Sequence, residues 1–184
     1  TPATHLLGGL DNERALLALA YMYLGADVPY KAASLLNDGM KKGKIEQNLK
    51  NLELLGQSYQ MAEEQKKALP ILERAAKMSS DGKIWAQLAA VYSDTGEYAK
   101  SIRAARNALN KGNVKRPDLT RLTMGNAQLS LHCYNDAQKT FKKVLKDKRS
   151  AKTAKQFIAY AKAEGGRRDG LIKQGAKLAR CQKV

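Results

Sequence analysis

A run of apolar and small residues, Leu52-x2-Leu55-Gly56-x2-Tyr59-x8-Ala68-x3-Leu72-x2-Ala75, returns 33 residues later as Trp85-x2-Leu88-Ala89-x2-Tyr92. Gly96, Tyr98, Ala105 and Ala108 follow the second copy. Self-similarity at this period is the signature of stacked helix pairs, and nothing else in the chain restricts its fold as much. Two weaker copies flank these. Upstream, Leu16-x2-Leu19-Ala20-x2-Tyr23 precedes Ala32 and Leu36; downstream, Met124-Gly125 precedes Tyr134, Ala137, Phe141 and Val144. Aligned on Glu13, Leu49, Gly82 and Asp118, the units are offset by 36, 33 and 36 residues, as a fixed two-helix unit with varying loops would be.

Within a unit the large apolar residues fall three or four apart, on one helix face. Gly56, Ala89 and Gly125 let the second helix approach the first closely, and Ala32, Ala68 and Ala137 do the same from the partner helix. Punctuation agrees. Gly43, Gly96, Gly112 and Gly165 each follow an amphipathic stretch, as a left-handed residue past a helix end does. Pro117 suits a first helical position, and Asp11 and Ser80-Asp81 suit N-caps. Pro70 falls inside a helix beginning near Gln65, where a kink rather than a break is expected.

At these residues the chain resembles the tetratricopeptide repeat (TPR) proteins over about residues 13–149. The third unit is closest, with Trp85, Tyr92, Gly96 and Tyr98 at the family's positions. Gln128 replaces a usual Tyr, and Pro29 stands where an aromatic usually opens the second helix. The resemblance implies an all-α fold: a right-handed α-solenoid of about four helix hairpins plus a C-terminal capping helix. Its parts are a lead-in over 1–12, units near 13–48, 49–81, 82–117 and 118–149, a capping helix over 150–164 and a basic tail over 165–184.

Composition adds two observations. The longest apolar run, Ala15 to Leu24, has ten residues, half of what a membrane span needs. In that run Leu17, Tyr21, Met22 and Leu24 are apolar beyond the packing positions, and a helix greasy on all sides needs covering on more than one. The expectation is that the chain is the C-terminal part of a longer array or that this end pairs with a second copy. Charge is uneven: residues 138–184 hold 15 Lys+Arg against 3 Asp+Glu, so most of the net +16 lies there. That stretch reads as a solvated face with a basic tail, or as an attachment site for an acidic partner, an anionic membrane surface or nucleic acid. Gly165-Gly166-Arg167-Arg168-Asp169-Gly170 reads as a flexible break, and Ile172 to Arg180 as a short basic helix or a frayed end.

Cys133 and Cys181 are the two cysteines. They read as unpaired thiols or, in an exported protein, as a disulfide tying the tail to the fourth unit. Neither has a second Cys or His at metal-ligand spacing, so no metal or cofactor is expected. His5 and His132 are the two histidines, and no catalytic or nucleotide-binding signature is present; Leu7-Gly8-Gly9 has no strand before it. Glu63-Glu64 reads as a solvated helix turn, and the eight tyrosines mostly as packing residues. The expectation is a non-enzymatic protein.

The resemblance also implies where a partner would lie. In such repeats the first helix of each unit lines a concave groove through the residues one, four, eight and eleven after the unit start. These are Arg14, Leu17, Tyr21 and Leu24; Lys50, Glu53, Gln57 and Gln60; Lys83, Ala86, Ala90 and Ser93; and Leu119, Leu122, Asn126 and Leu129. A clamp for a peptide carboxylate is doubtful, since Leu122 stands where a Lys is needed, although Asn126 fits. A helix or extended segment along the groove is the better ligand. The expected function is a scaffold binding another protein or peptide through this groove or the apolar N-terminal end. The alternative is polyanion binding through the basic C-terminal region, with nucleic acid disfavoured for want of a groove-reading motif. The chain is also similar to TPR proteins of the Gram-negative envelope, some encoded with TonB-type complexes. That similarity implies a periplasmic protein associated with a membrane complex; a cytoplasmic scaffold is the other setting.

Overall fold

The computed structural model describes residues 12–182 and 184. Among them are nine α-helices and no strand: α1 (Glu13–Gly25), α2 (Pro29–Lys41), α3 (Leu49–Met61), α4 (Gln65–Met78), α5 (Lys83–Asp94), α6 (Tyr98–Lys111), α7 (Pro117–Ser130), α8 (Tyr134–Lys142) and α9 (Ala151–Lys173). The helices group into two compact units that meet in sequence at Ser79 and Ser80.

In the first unit α1 to α4 pack each on the next. Their core is the repeated apolar set, with Ala20, Ala32, Leu36, Leu52, Leu55, Ala68, Leu72 and Ala75 all buried. Gly56 sets the α3–α4 spacing, because a Cβ there would come within 2.6 Å of Leu72 Cδ2. Gly39 does likewise for Ile45, a buried loop residue that the repeat alignment does not select. Glu13 Oε1 accepts from the Glu46 N–H at 3.1 Å and from Asn51 Nδ2 at 2.8 Å, which fastens the start of α1 to the α2–α3 loop and the first turn of α3.

In the second unit α5 to α9 follow one another, and α5 also touches α7. Phe141 is buried beneath α9 and stacks on Phe157 at 5.0 Å. Gly125 leaves room for that ring: a Cβ added there would overlap it. Asp118 opens α7 with only 2% of its surface exposed. Arg116 chelates it at 2.7 and 3.0 Å, and the Ser150 hydroxyl donates to it at 2.6 Å, joining the starts of α7 and α9. The guanidinium holds the Asp118 carboxyl well below the usual carboxylate range, against the opposing effect of burial.

The turn inside each hairpin is built the same way four times. Asp27, Glu63, Gly96 and His132 each take positive φ, at 56°, 58°, 78° and 60°, and lie 36, 33 and 36 residues apart. The residue after each donates its N–H back to the helix just ended: Val28 to Tyr23, Glu64 to Tyr59, Glu97 to Tyr92 and Cys133 to Gln128. Left-handed backbone favours glycine, yet three of these turns hold it with Asp, Glu or His.

Several sequence expectations need correction. Gly165 does not end a helix, and 165–170 is no break: α9 runs unbroken to Lys173, well past the expected capping helix of 150–164. Gly165 is there for close approach, since a Cβ would lie 3.0 Å from that of Tyr134. The Glu164–Arg167 pair at 2.6 Å, one turn apart, and the Arg168 guanidinium over the Tyr134 ring carry the helix across its glycines. Ile172 to Arg180 is helical only to Lys173. Asn12 caps α1 through Ala15 N–H, and Asp11, like His5 and Gly8-Gly9, lies outside the described residues. At α5 the N-cap position is Gly82, with the Asp81 carboxylate accepting from Lys83 N–H at 3.0 Å. Pro70, by contrast, sits inside α4 without breaking it, as expected. Of the tyrosines, Tyr59 and Tyr92 are buried, but Tyr21, Tyr30 and Tyr160 are exposed and are not packing residues.

Candidate functional site

The cleft between α5 and α7 encloses about 630 Å³. On one side α5 contributes Lys83, Ala86, Gln87 and Ala90, which the 3.6-residue period places on one face. The opposite wall is Leu119, Thr120 and Thr123 of α7, and the loop between α6 and α7 closes one end with Asn113, Val114, Lys115 and Arg116. That loop is held by Asn113, whose left-handed backbone turns the chain and whose Nδ2 donates to Asp81 Oδ2 at 3.0 Å. The result is a floor of methyl groups and Leu119, which is 46% exposed, beneath a rim of cations. The Gln87 side-chain oxygen is buried without a hydrogen-bond donor.

Four expected groove residues, Lys83, Ala86, Ala90 and Leu119, therefore share one cavity. Leu122 and Asn126, further along α7, are half-buried and do not line it, although Asn126 Oδ1 is also buried without a donor. In the first unit Lys50, Glu53, Gln57 and Gln60 run along one face of α3, Lys50 and Gln57 exposed and the other two half-buried. Leu17 and Tyr21 form a shallow apolar face of α1 with Ala18, and Tyr21 and Met22 are 50% and 69% exposed. Sequence reasoning missed the 113–116 loop, which has no periodicity to reveal it. It also missed a first-unit cavity of about 480 Å³ where Lys41, Lys66 and Lys67 surround Tyr30 and Tyr59. Burial pushes the Tyr59 hydroxyl above its ordinary pKa.

The tail carries the other finding. Cys133, in the last hairpin turn, is disulfide-bonded to Cys181. After Gly175 turns the chain with φ 94°, Arg168 donates to Ala179 O at 2.8 Å, Gln182 N–H to Leu131 O at 3.2 Å and Arg106 to Val184 O at 2.6 Å. The tail is thus laid back over the second unit, and a cavity of about 510 Å³ beneath it mixes Arg168 and Arg180 with Asp136 and Asp169. Among the described residues no group of three metal-ligating side chains gathers, and no helix is long and apolar enough to cross a membrane.

Comparison with known proteins places this geometry in a class. No family model and no curated protein sequence matches the chain. The similar solved structures are TPR proteins. Two crystal structures of MamA match with TM-scores of 0.67 and 0.69 at 22% and 23% identity, covering 80% and 82% of this chain and 79% and 86% of those. YrrB, described as a TPR protein with an unusual peptide-binding site, matches with a TM-score of 0.70 at 12% identity, over 88% of this chain and 82% of its own. A tetratricopeptide repeat protein from Parabacteroides merdae gives 0.69 at 18%, over 83% and 60%. At these identities the likeness establishes the fold: an all-α array of TPR helix hairpins.

Proposed function

We propose that the protein is a non-enzymatic scaffold that holds a segment of another protein in the α5–α7 cleft. One observation carries this reading: the cleft between α5 and α7 combines an exposed apolar floor, a cationic rim and an amide oxygen left without a donor. Such a surface binds a chain and offers no reacting group to transform it. A library of short peptides displayed on a surface tests it. The protein should retain a subset, and Ala90→Arg, which fills the cleft from α5, should abolish that retention. Retention unchanged in the variant would reject the cleft as the site.

A second contact is favoured by the exposed Tyr21 and Met22, which suit α1 to pairing with a second copy of the chain. In sedimentation, Tyr21→Glu with Met22→Glu should convert a dimer to a monomer; a wild-type monomer would dismiss the pairing. The Cys133–Cys181 bond favours an oxidising compartment such as the bacterial periplasm, the setting implied by the resemblance to envelope proteins. Association with a TonB-type membrane complex rests on that resemblance alone. An export reporter fused to the whole gene would decide the compartment, and a cytoplasmic signal would refute it.

A further inference from the structure

We infer that the occupant of the α5–α7 cleft is an acidic, extended peptide segment that carries an apolar side chain. This rests on the cleft being the partner site and adds the chemistry of what it takes.

Charge makes the first argument. Residues 80–184 hold 23 Lys+Arg against 8 Asp+Glu, whereas residues 1–79 hold 10 against 9, so the unit that contains the cleft carries +15, of which +12 lies in residues 138–184 and +3 in residues 80–137, which form the cleft. A field of that size attracts anionic partners and disfavours cationic ones before any contact forms. The cleft lining holds Lys83, Lys115 and Arg116 and no carboxylate; Arg116 is paired with Asp118 and Lys83 is itself engaged, so the exposed Lys115 is the cation the rim offers. The nearest acids are already engaged inward: Asp118 by Arg116 and Ser150, and Asp81 by the Lys83 N–H and Asn113. Lys115 is exposed and has no carboxylate partner among the described residues.

The floor makes the second argument. Ala86, Ala90 and the exposed Leu119 leave an apolar depression beside those cations, which a purely charged ligand would leave wet. The third is the backbone. Gln87 Oε1 has no donor, and turning its amide toward the cleft breaks no bond of that oxygen. An extended chain presents N–H and C=O groups in alternation and can satisfy the amide in either orientation. An apolar pocket next to a lysine and an unsatisfied amide thus describes an acidic–apolar peptide better than a polyphosphate.

Fluorescence anisotropy of the full chain with three labelled peptides tests this: alternating Asp and Leu, alternating Lys and Leu, and alternating Asp and Ser. The Asp/Leu peptide should bind most tightly. Lys115→Glu, at an exposed site that leaves folding intact, should weaken it roughly tenfold and narrow its lead over the Lys/Leu peptide. Leu119→Ser should weaken Asp/Leu while leaving Asp/Ser unchanged, and Ala90→Arg should abolish the Asp/Leu signal. If the Lys/Leu peptide binds as well as Asp/Leu and both are lost in Ala90→Arg, the acidic specificity is wrong while the cleft stands. If Asp/Leu binding survives Ala90→Arg, both readings fall. If Asp/Ser matches Asp/Leu and a DNA duplex displaces both, charge alone is being read and the inference is overturned.

Discussion

Replacing Cys181 with Ser removes a cross-link whose worth follows from its span. The bond joins residues 48 apart. Closing a loop of that length lowers the entropy of the unfolded chain by roughly 14 cal/mol/K, or about 4 kcal/mol of stability at 25 °C. Little else should change in the folded state. The turn keeps its Cys133 N–H to Gln128 O bond, and the tail retains Gln182 to Leu131 and Arg168 to Ala179. Cys133 is buried, and a thiol there packs as a small apolar group. Urea titration with circular dichroism detection measures the loss, and the same shift should appear in the wild type under reductant. In a thermal scan of the second unit it corresponds to roughly 15–20 °C. The double variant with Cys133→Ser should lose little more than either single one, because the first substitution already breaks the bond. A loss below about 1 kcal/mol, or two thiols titratable in the non-reduced folded protein, would refute the reasoning.

Glycine substitutions should divide by their surroundings. Gly125→Ala drives a methyl into the buried Phe141 ring and should cost about 1–3 kcal/mol, while Gly166→Ala meets nothing within 4 Å and should stabilise α9 by up to about 1 kcal/mol; equal signs in urea titrations would contradict the α7–α8 packing. Asp118 titrates below its unfolded value of 3.8, so its contribution is full above that pH and is lost as acid drives the pH down through the folded value. Asp118→Asn should therefore cost roughly 1–3 kcal/mol at neutral pH and flatten the acid limb of the stability curve. A variant with an unchanged acid limb would show that the Arg116 chelate contributes nothing.

The hairpins are legible in the sequence because large and small residues alternate across each contact, so Gly56 facing Leu72 and Gly125 facing Phe141 leave a trace that repeats. The turns are less so. A search for glycine finds Gly96 but passes over Asp27, Glu63 and His132, which hold the same left-handed conformation with a side chain present. The same weakness misplaces the end of α9. Gly165, Gly166 and Gly170 carry poor helix propensity and read as a break, yet contacts with Tyr134 and an ion pair, invisible to local pattern, outweigh it. At the cleft, Lys83, Ala86 and Ala90 could be named because a helical period fixes their face. Lys115 and Arg116 sit in a loop, where no period relates sequence position to direction.

The tail's return to the last hairpin turn also sets how the chain would carry load. A pull applied at Val184 passes through Cys181 to Cys133 and into α7, leaving α8 and α9 inside a covalent bypass where they bear no tension. Stretched in optical tweezers, the oxidised protein would fall short of its reduced length by roughly 160 Å, the reach of those 48 residues.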